Sequence, residues 1–112
     1  MKQAIVLNSS LKMGKGKAAA QTSHASLQAF LSCGEKTRSK WLSTGAMKVV
    51  LKVQSEKELL TLYALAKKRR LPCALVHDAG KTQIPAGSLT ALAIGPAEDN
   101  AVDELTGELK LF

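Results

Sequence analysis

With 112 residues, 46% hydrophobic and 22% charged, the chain is long enough for one modest core and too short for two, and its composition excludes a disordered protein. No apolar run approaches the roughly 20 residues of a membrane span, and Ala4-Ile5-Val6-Leu7 is far too short for a secretion signal, so a cytoplasmic protein is expected. The net charge of +7 is polarised: residues 1–52 hold nine Lys or Arg against one acid, Glu35, while the remainder holds seven against eight. A basic half suits RNA or DNA phosphates, and with Phe30, Trp41, Tyr63 and Phe112 as the only aromatics, backbone contacts are expected in place of extensive base stacking.

Ala4-Ile5-Val6-Leu7 has the continuous apolar character of a strand buried on both faces, and Asn8-Ser9-Ser10 ends it with turn formers. The run LKMGKGKAAAQTSHA from Leu11 then sets Lys12, Lys15 and Lys17, with Gly14 and Gly16, against an alanine-rich helix starting near one of those glycines. A helix start presents unpaired N–H groups and the positive end of the dipole, glycines let a ligand approach the backbone, and lysines add mobile charge, so the segment suits an anion. A flexible turn with solvated lysines is an equally simple account. Ala20, His24, Leu27 and Leu31 recur at spacings of four, three and four, which assigns that helix face to the sheet, makes His24 a core histidine, leaves Gln21 at the sheet edge or in solvent, and makes Gly34 the stop.

Residues 35–44 are polar around Trp41 and Leu42 and predict a short helix or an indole-anchored turn, closed by Gly45. A strand follows, with Met47, Val49, Leu51 and Val53 inward. Ser55 and Glu58 form a capping box ahead of a helix whose apolar positions are Leu59, Leu62, Tyr63 and Ala66. Lys67-Lys68-Arg69-Arg70 resembles a nucleic-acid patch, but cations closing a helix before Pro72 are the simpler account. Cys73-Ala74-Leu75-Val76 predicts a third strand, residues 78–88 a polar loop, and residues 89–94 a fourth strand stopped by Gly95-Pro96. Glu98 and Asp99 start a helix running to about Leu105, and Thr106-Gly107 turns into an apolar alternation at Leu109 and Leu111.

This order predicts an α/β domain with a mixed four-stranded sheet and helices on both faces, a three-layer α/β/α arrangement. The helical crossovers favour parallel pairing among the first three strands, and the short 78–88 connection allows the last strand to return antiparallel. Ligands of such sheets gather beyond strand carboxyl ends, where segment 11–17 and loop 78–88 both lie. Cys33 and Cys73 match no metal spacing and are expected to be free thiols, and His24 and His77 imply no metal site. Lys17 precedes Ala18, so the run is not a nucleotide-binding P-loop. Asp78, followed by Thr82, Ser88 and Thr90, can orient a water while hydroxyls hold a ribose or carbonyl; spacing alone favours a turn-capping aspartate.

KMGKGKAAAQTSHA (12–25), DAGKTQIPAGSLTALAIGP (78–96) and TGELKLF (106–112) closely resemble the type 2, archaeal and eukaryotic, peptidyl-tRNA hydrolase family over essentially the whole chain, as one domain spanning 1–112. The resemblance implies hydrolysis of the ester joining a peptide to the 3′-terminal ribose of tRNA, without metal or organic cofactor, and it leans towards a homodimer. By motif position it implies Lys17, Asp78, Thr82 and Thr90 as active-site residues. Lys17 would stabilise an oxyanion or a phosphate, Asp78 would position water, and the threonines would bond ribose or peptide carbonyl. Lys12, Lys15 and Lys81, with Gly14 and Gly16, would hold the tRNA, and Gln21, His24 and Ser88 would support the site. The chain departs from the family pattern in carrying Asn8-Ser9-Ser10 where an Arg and an Asp are common, and Lys81 where Arg is frequent. A noncatalytic RNA-binding or protein-interaction module on the same fold is the alternative.

Overall fold

The structure is a computed structural model that describes residues 1–80 and 84–112. Strand β1 (Lys2–Asn8) leads through a short 3-10 turn (Ser9–Leu11) to helix α1 (Lys15–Leu31), followed by α2 (Glu35–Ser43), β2 (Lys48–Val53), α3 (Glu56–Lys68), β3 (Cys73–His77), β4 (Leu89–Ala97), α4 (Asp99–Thr106) and β5 (Lys110–Leu111). The sheet order is β3-β4-β1-β2-β5. Only β1 and β2 pair in parallel, and β4 returns antiparallel between β3 and β1. The expected strand count of four becomes five, because the alternation at Leu109 and Leu111 closes into a two-residue edge strand, with Leu111 opposite Leu51 and Lys110 opposite Lys52. So short a strand has almost no propensity of its own; its partner β2 defines it.

β1 divides the core. Ala4 and Val6 cluster with Leu51, Leu59, Leu62, Ala66 and Val102 on the side of α3 and α4, whereas Ile5 and Leu7 cluster with Ala18, Ala25 and Ala29 of α1. Capping sets the helix starts. Ser55 accepts from Glu58 N at 3.1 Å, and the Glu58 carboxylate reaches back to Gln54 N at 2.7 Å, one residue earlier than the standard box. Cations do close α3: Lys67 lies over the Tyr63 ring and Arg69 pairs with Glu104. Trp41 is buried and donates to the Met47 carbonyl at 3.0 Å, anchoring α2 as expected.

Four expectations need correction. The face of α1 on the sheet is Ala18, Gln21, Ala25 and Ala29; Ala20 and His24 are exposed, and Leu27 and Leu31 are 58% and 57% exposed. The reason is close approach. Small residues of α1 meet Ala74, Ala91 and Ala93 of β3 and β4, leaving no depth for leucine. Gly34 does not stop α1, which ends at Leu31 with Ser32 as its C-cap; it is the N-cap of α2. Met47 is exposed outside β2, and its carbonyl serves as acceptor for Gln3 N and Trp41. Finally, Gly95-Pro96 does not end β4. The strand continues to Ala97 through a bulge opposite Lys2 and Ala4, where proline need not join the ladder. Gly95 has φ +101°, and a Cβ there would lie 2.6 Å from the Lys2 carbonyl.

Both cysteines are free thiols, and burial pushes the Cys73 thiol up against the opposing pull of Lys67. No helix among the described residues is long and apolar enough to cross a membrane.

The α1 face yields a direct test. Ala25→Leu should cost about 1–3 kcal/mol by overpacking, read as a lower urea midpoint at unchanged slope. Leu31→Ala, at an exposed position, should stay within about 0.5 kcal/mol; the reverse order would restore the leucine face to the sheet.

Candidate active site

The carboxyl ends of β1 and β3 lie at the same end of the sheet, because β3 runs antiparallel to β4 and β4 antiparallel to β1. That brings the two segments singled out in the sequence together. Asn8 ends β1 buried: its amide donates to the Leu89 carbonyl at 3.1 Å, and its Oδ1 accepts from Ser10 N and Ser10 Oγ at 3.1 and 2.6 Å. Ser9 Oγ donates to Val53 O at 2.8 Å. A neutral hydrogen-bonded knot thus binds β1 to β4 and β2. Its signal was present in the sequence, since Asn and Ser commonly satisfy a backbone that leaves regular structure.

After the 3-10 turn Lys12 takes a left-handed conformation, φ +50°, which swings the chain into Gly14, the N-cap of α1. Gly14 supplies no side-chain cap, and the first turn, Lys15-Gly16-Lys17, contains no acid. The other helices each start with one: Glu35, Glu56 with Glu58, and Asp99. α1 therefore concentrates positive charge on a helix end already positive from its dipole. Lys12, Lys15, Gly14 and Gly16 are exposed, and a Cβ at either glycine would meet nothing within 4 Å. Neither glycine is needed for internal packing, so the space beside them is open to a ligand.

Lys17, on the third residue of α1, turns inward. Its Nζ donates to Asp78 Oδ1 at 2.5 Å, with side-chain exposures of 12% and 1% for Lys17 and Asp78. The second oxygen, Oδ2, accepts from Gly80 N at 2.9 Å. Loop 78–88 is closed at its base by Asp78 N donating to the Ser88 carbonyl, 2.8 Å, and Gly87 N to the Asp78 carbonyl, 3.0 Å. Gly80 has φ +80°, and a Cβ there would fall 2.6 Å from Ala86 Cβ. Only glycine fits, a requirement hinted at by the Asp-Ala-Gly order but not singled out from sequence. Asp78 is thus turn-capping, as spacing alone suggested, and at the same time paired with a cation 61 positions away.

One turn further along α1, buried Gln21 accepts from Thr90 Oγ1 at 2.9 Å, while Thr90 lies fully buried, 3.3 Å from the Val76 carbonyl. Lys17 and Gln21 are four apart and share a face, so α1 presents two polar side chains to β3 and β4 in register. Ser88 uses its hydroxyl on the Pro85 carbonyl, 2.8 Å, bracing the loop. His24 is exposed on α1 and outside the core to which the sequence assigned it. Lys81 and Thr82 lie outside the described residues.

The chain matches a family model described as peptidyl-tRNA hydrolase PTH2 over residues 1–112. Among similar curated proteins, the peptidyl-tRNA hydrolase of Methanococcus maripaludis strain C6 is 52% identical over 98% of this chain and 97% of its own. That of Methanocaldococcus jannaschii is 48% identical over the full length of both, and that of Methanothermobacter thermautotrophicus is 50% identical, again over both whole chains. A match of this extent leaves no part of the fold outside the relationship, and the chain belongs to the peptidyl-tRNA hydrolase PTH2 family.

Proposed function

We infer that this protein hydrolyses the ester between a peptide, or an N-blocked aminoacyl group, and the 3′-terminal ribose of tRNA. The observation that carries the reading is the Lys17–Asp78 pair at the uncapped, acid-free start of α1, beside two glycines with open space. A nucleic-acid terminus supplies the anion that helix start lacks, and the pair supplies opposite charges at the reacting carbonyl. Water adds to the ester carbon with Asp78 orienting it and taking its proton. Lys17 stabilises the resulting oxyanion, and the carbon–oxygen bond to ribose then breaks, the ribose oxygen receiving a proton as the peptide leaves as a carboxylate. Thr90, buried behind Gln21, acts by holding that amide in place, whereas Thr82 and Lys81 keep the ribose-binding and RNA-binding roles of their motif positions. Lys12 and Lys15 grip backbone phosphates.

The same reading extends to architecture, assembly and place. α1 on one face and α3 with α4 on the other support a three-layer α/β/α domain. Exposed Leu27, Leu31, Leu42 and Met47 support a homodimer through the α1–α2 side. Work on tRNA belongs in the cytoplasm.

Incubation with N-acetyl-aminoacyl-tRNA and with the unblocked aminoacyl-tRNA tests the activity; equal release from both would refute it. Asp78→Asn should cut kcat by about 10²-fold or more, the effect of losing one preorganised charge, with tRNA binding retained. Retained binding with no turnover in the wild type would instead identify an RNA-binding module. Lys17→Ala should lose more kcat than Lys15→Ala and should also destabilise the fold by about 3–5 kcal/mol, because it strands a buried carboxylate. Lys17→Met combined with Asp78→Asn should recover much of that stability and no activity. Gly80→Ala should lower kcat at little cost in tRNA affinity, by turning the Asp78 carboxylate away.

A further inference from the structure

The ion pairs are unevenly distributed. Among the described residues, Met1, Lys2, Lys40 and Arg69 pair with Asp99, Asp103, Glu98 and Glu104, all grouped around the amino end of β1 and α4. At the opposite end, beyond the carboxyl ends of β1, β2 and β3, the site pair Lys17–Asp78 is the only one among these residues. Two further lysines there stand face to face: Lys52 of β2 lies directly opposite Lys110 of β5. Like charges in direct cross-strand register repel, and neither lysine has a carboxylate within ion-pair distance among the described residues.

The sheet face that carries them follows from register. Lys52 pairs with Leu7 and Val50 with Ile5, which belong to the α1 side of the core, whereas Leu51 and Val53 belong to the α3 side. α1, however, packs on β4, β3 and β1. The β2–β5 part of this face is open: Lys110 and Phe112 are exposed, and Lys52 is half-buried. The groove against α3, which Lys52 and Lys110 also border, holds Lys57 with Glu58 and Glu108, and neither acid forms an ion pair with Lys52 or Lys110 among the described residues. Two basic pairs therefore lie at the same end of the sheet, Lys12 with Lys15 after β1 and Lys52 with Lys110 on β2 and β5, where Ser9 bonds the end of β2, while Lys67–Arg70 closes α3 at the far end.

We propose that the open β2–β5 face is the second phosphate-binding surface for the tRNA substrate: the acceptor-stem backbone leaves the Lys17–Asp78 site across Lys52 and Lys110. The charge complement fits this occupant, because a phosphate lying between the two lysines converts their repulsion into paired attraction. The inference rests on the hydrolase reading and adds to it the direction in which the RNA lies.

Lys52→Gln with Lys110→Gln should raise KM for N-acetyl-aminoacyl-tRNA several-fold and leave kcat unchanged. The slope of log kcat/KM against log salt should become shallower by about 0.9, the contribution of the one phosphate that the two lysines no longer neutralise. Hydrolysis of N-acetyl-aminoacyl-adenosine, which keeps the ester but lacks the stem, should not change. Lys68→Gln, at the far end, should match the wild type. An unchanged salt slope in the double variant, with the wild type cleaving tRNA, would overturn the proposal alone. A wild type that cleaves neither substrate would overturn the hydrolase reading and the proposal with it. The double variant should be at least as resistant to heat as the wild type, since it removes a repulsion; a lower melting temperature together with equal loss on both substrates would assign the lysines to folding.

Discussion

The close seat of α1 on β3 and β4 is the constraint on which the rest of the structure depends. Ala18, Ala25 and Ala29 of α1 cluster with Ala74, Ala91 and Ala93, and the larger members of that cluster, Ile5, Leu7 and Val76, all come from the sheet. Such an interface gains less per residue from apolar burial than leucine packing would. What it provides is proximity, because a helix this near a sheet lets medium-length polar side chains cross the gap. Three do so, Lys17 and Gln21 from one edge of the buried stripe and Ser26 from the other. Lys17 reaches Asp78, Gln21 meets Thr90, and Ser26 donates to Gln3, whose amide in turn donates to the Ser26 and Gly95 carbonyls. Each is satisfied where an unpaired group would be costly, so the three contacts fix the axial position of the helix as well as its distance.

The electrostatic design is the reverse of economical at one helix and ordinary at the others. α2, α3 and α4 place acids in their first turns, and α3 adds a capping serine. α1 starts with two lysines and a glycine cap. α2 shares the glycine cap, so what sets α1 apart is the missing acid and the two lysines in its first turn, a local charge rule broken at one helix and kept at the other three. Asp78 offsets only part of that charge, and only for Lys17; the exposed ammonium groups of Lys12 and Lys15 remain for an external anion.

The elements were legible in the sequence because each carried a local signal: the apolar run of β1, the capping box of α3, the acids before α4. The charge run at the end of α3 was also legible, once weighed against the helix dipole. The face of α1 was not, because periodicity alone cannot rank two apolar stripes on an alanine-rich helix, and leucine carries the stronger hydrophobic signal. The choice between the stripes is made by β3 and β4, which present Ala74, Ala91 and Ala93 on that side. β5 escaped for a similar reason, being defined by pairing with β2. Of the candidate site, the helix start with its exposed glycines and lysines could be read from residue type and the position of a helix boundary. The Lys17–Asp78 contact spans 61 positions and needed either family resemblance or the sheet order to be seen.

Lys17 and Gln21 gain their importance from that same geometry. A loop lysine at Lys12, or one on the open first turn at Lys15, can adjust to its ligand, but the ammonium of Lys17 is held where α1 and the end of β3 fix it. Asp78 is held on both oxygens, one by Lys17 and one by the Gly80 amide. Neither group needs to reorganise when substrate arrives, which is the condition under which fixed charges lower a barrier most. On the proposed reading, the alanine interface belongs to the chemistry as much as to the fold: it trades apolar burial for a helix close enough, and held firmly enough in register, to bring the Lys17 ammonium to the end of β3.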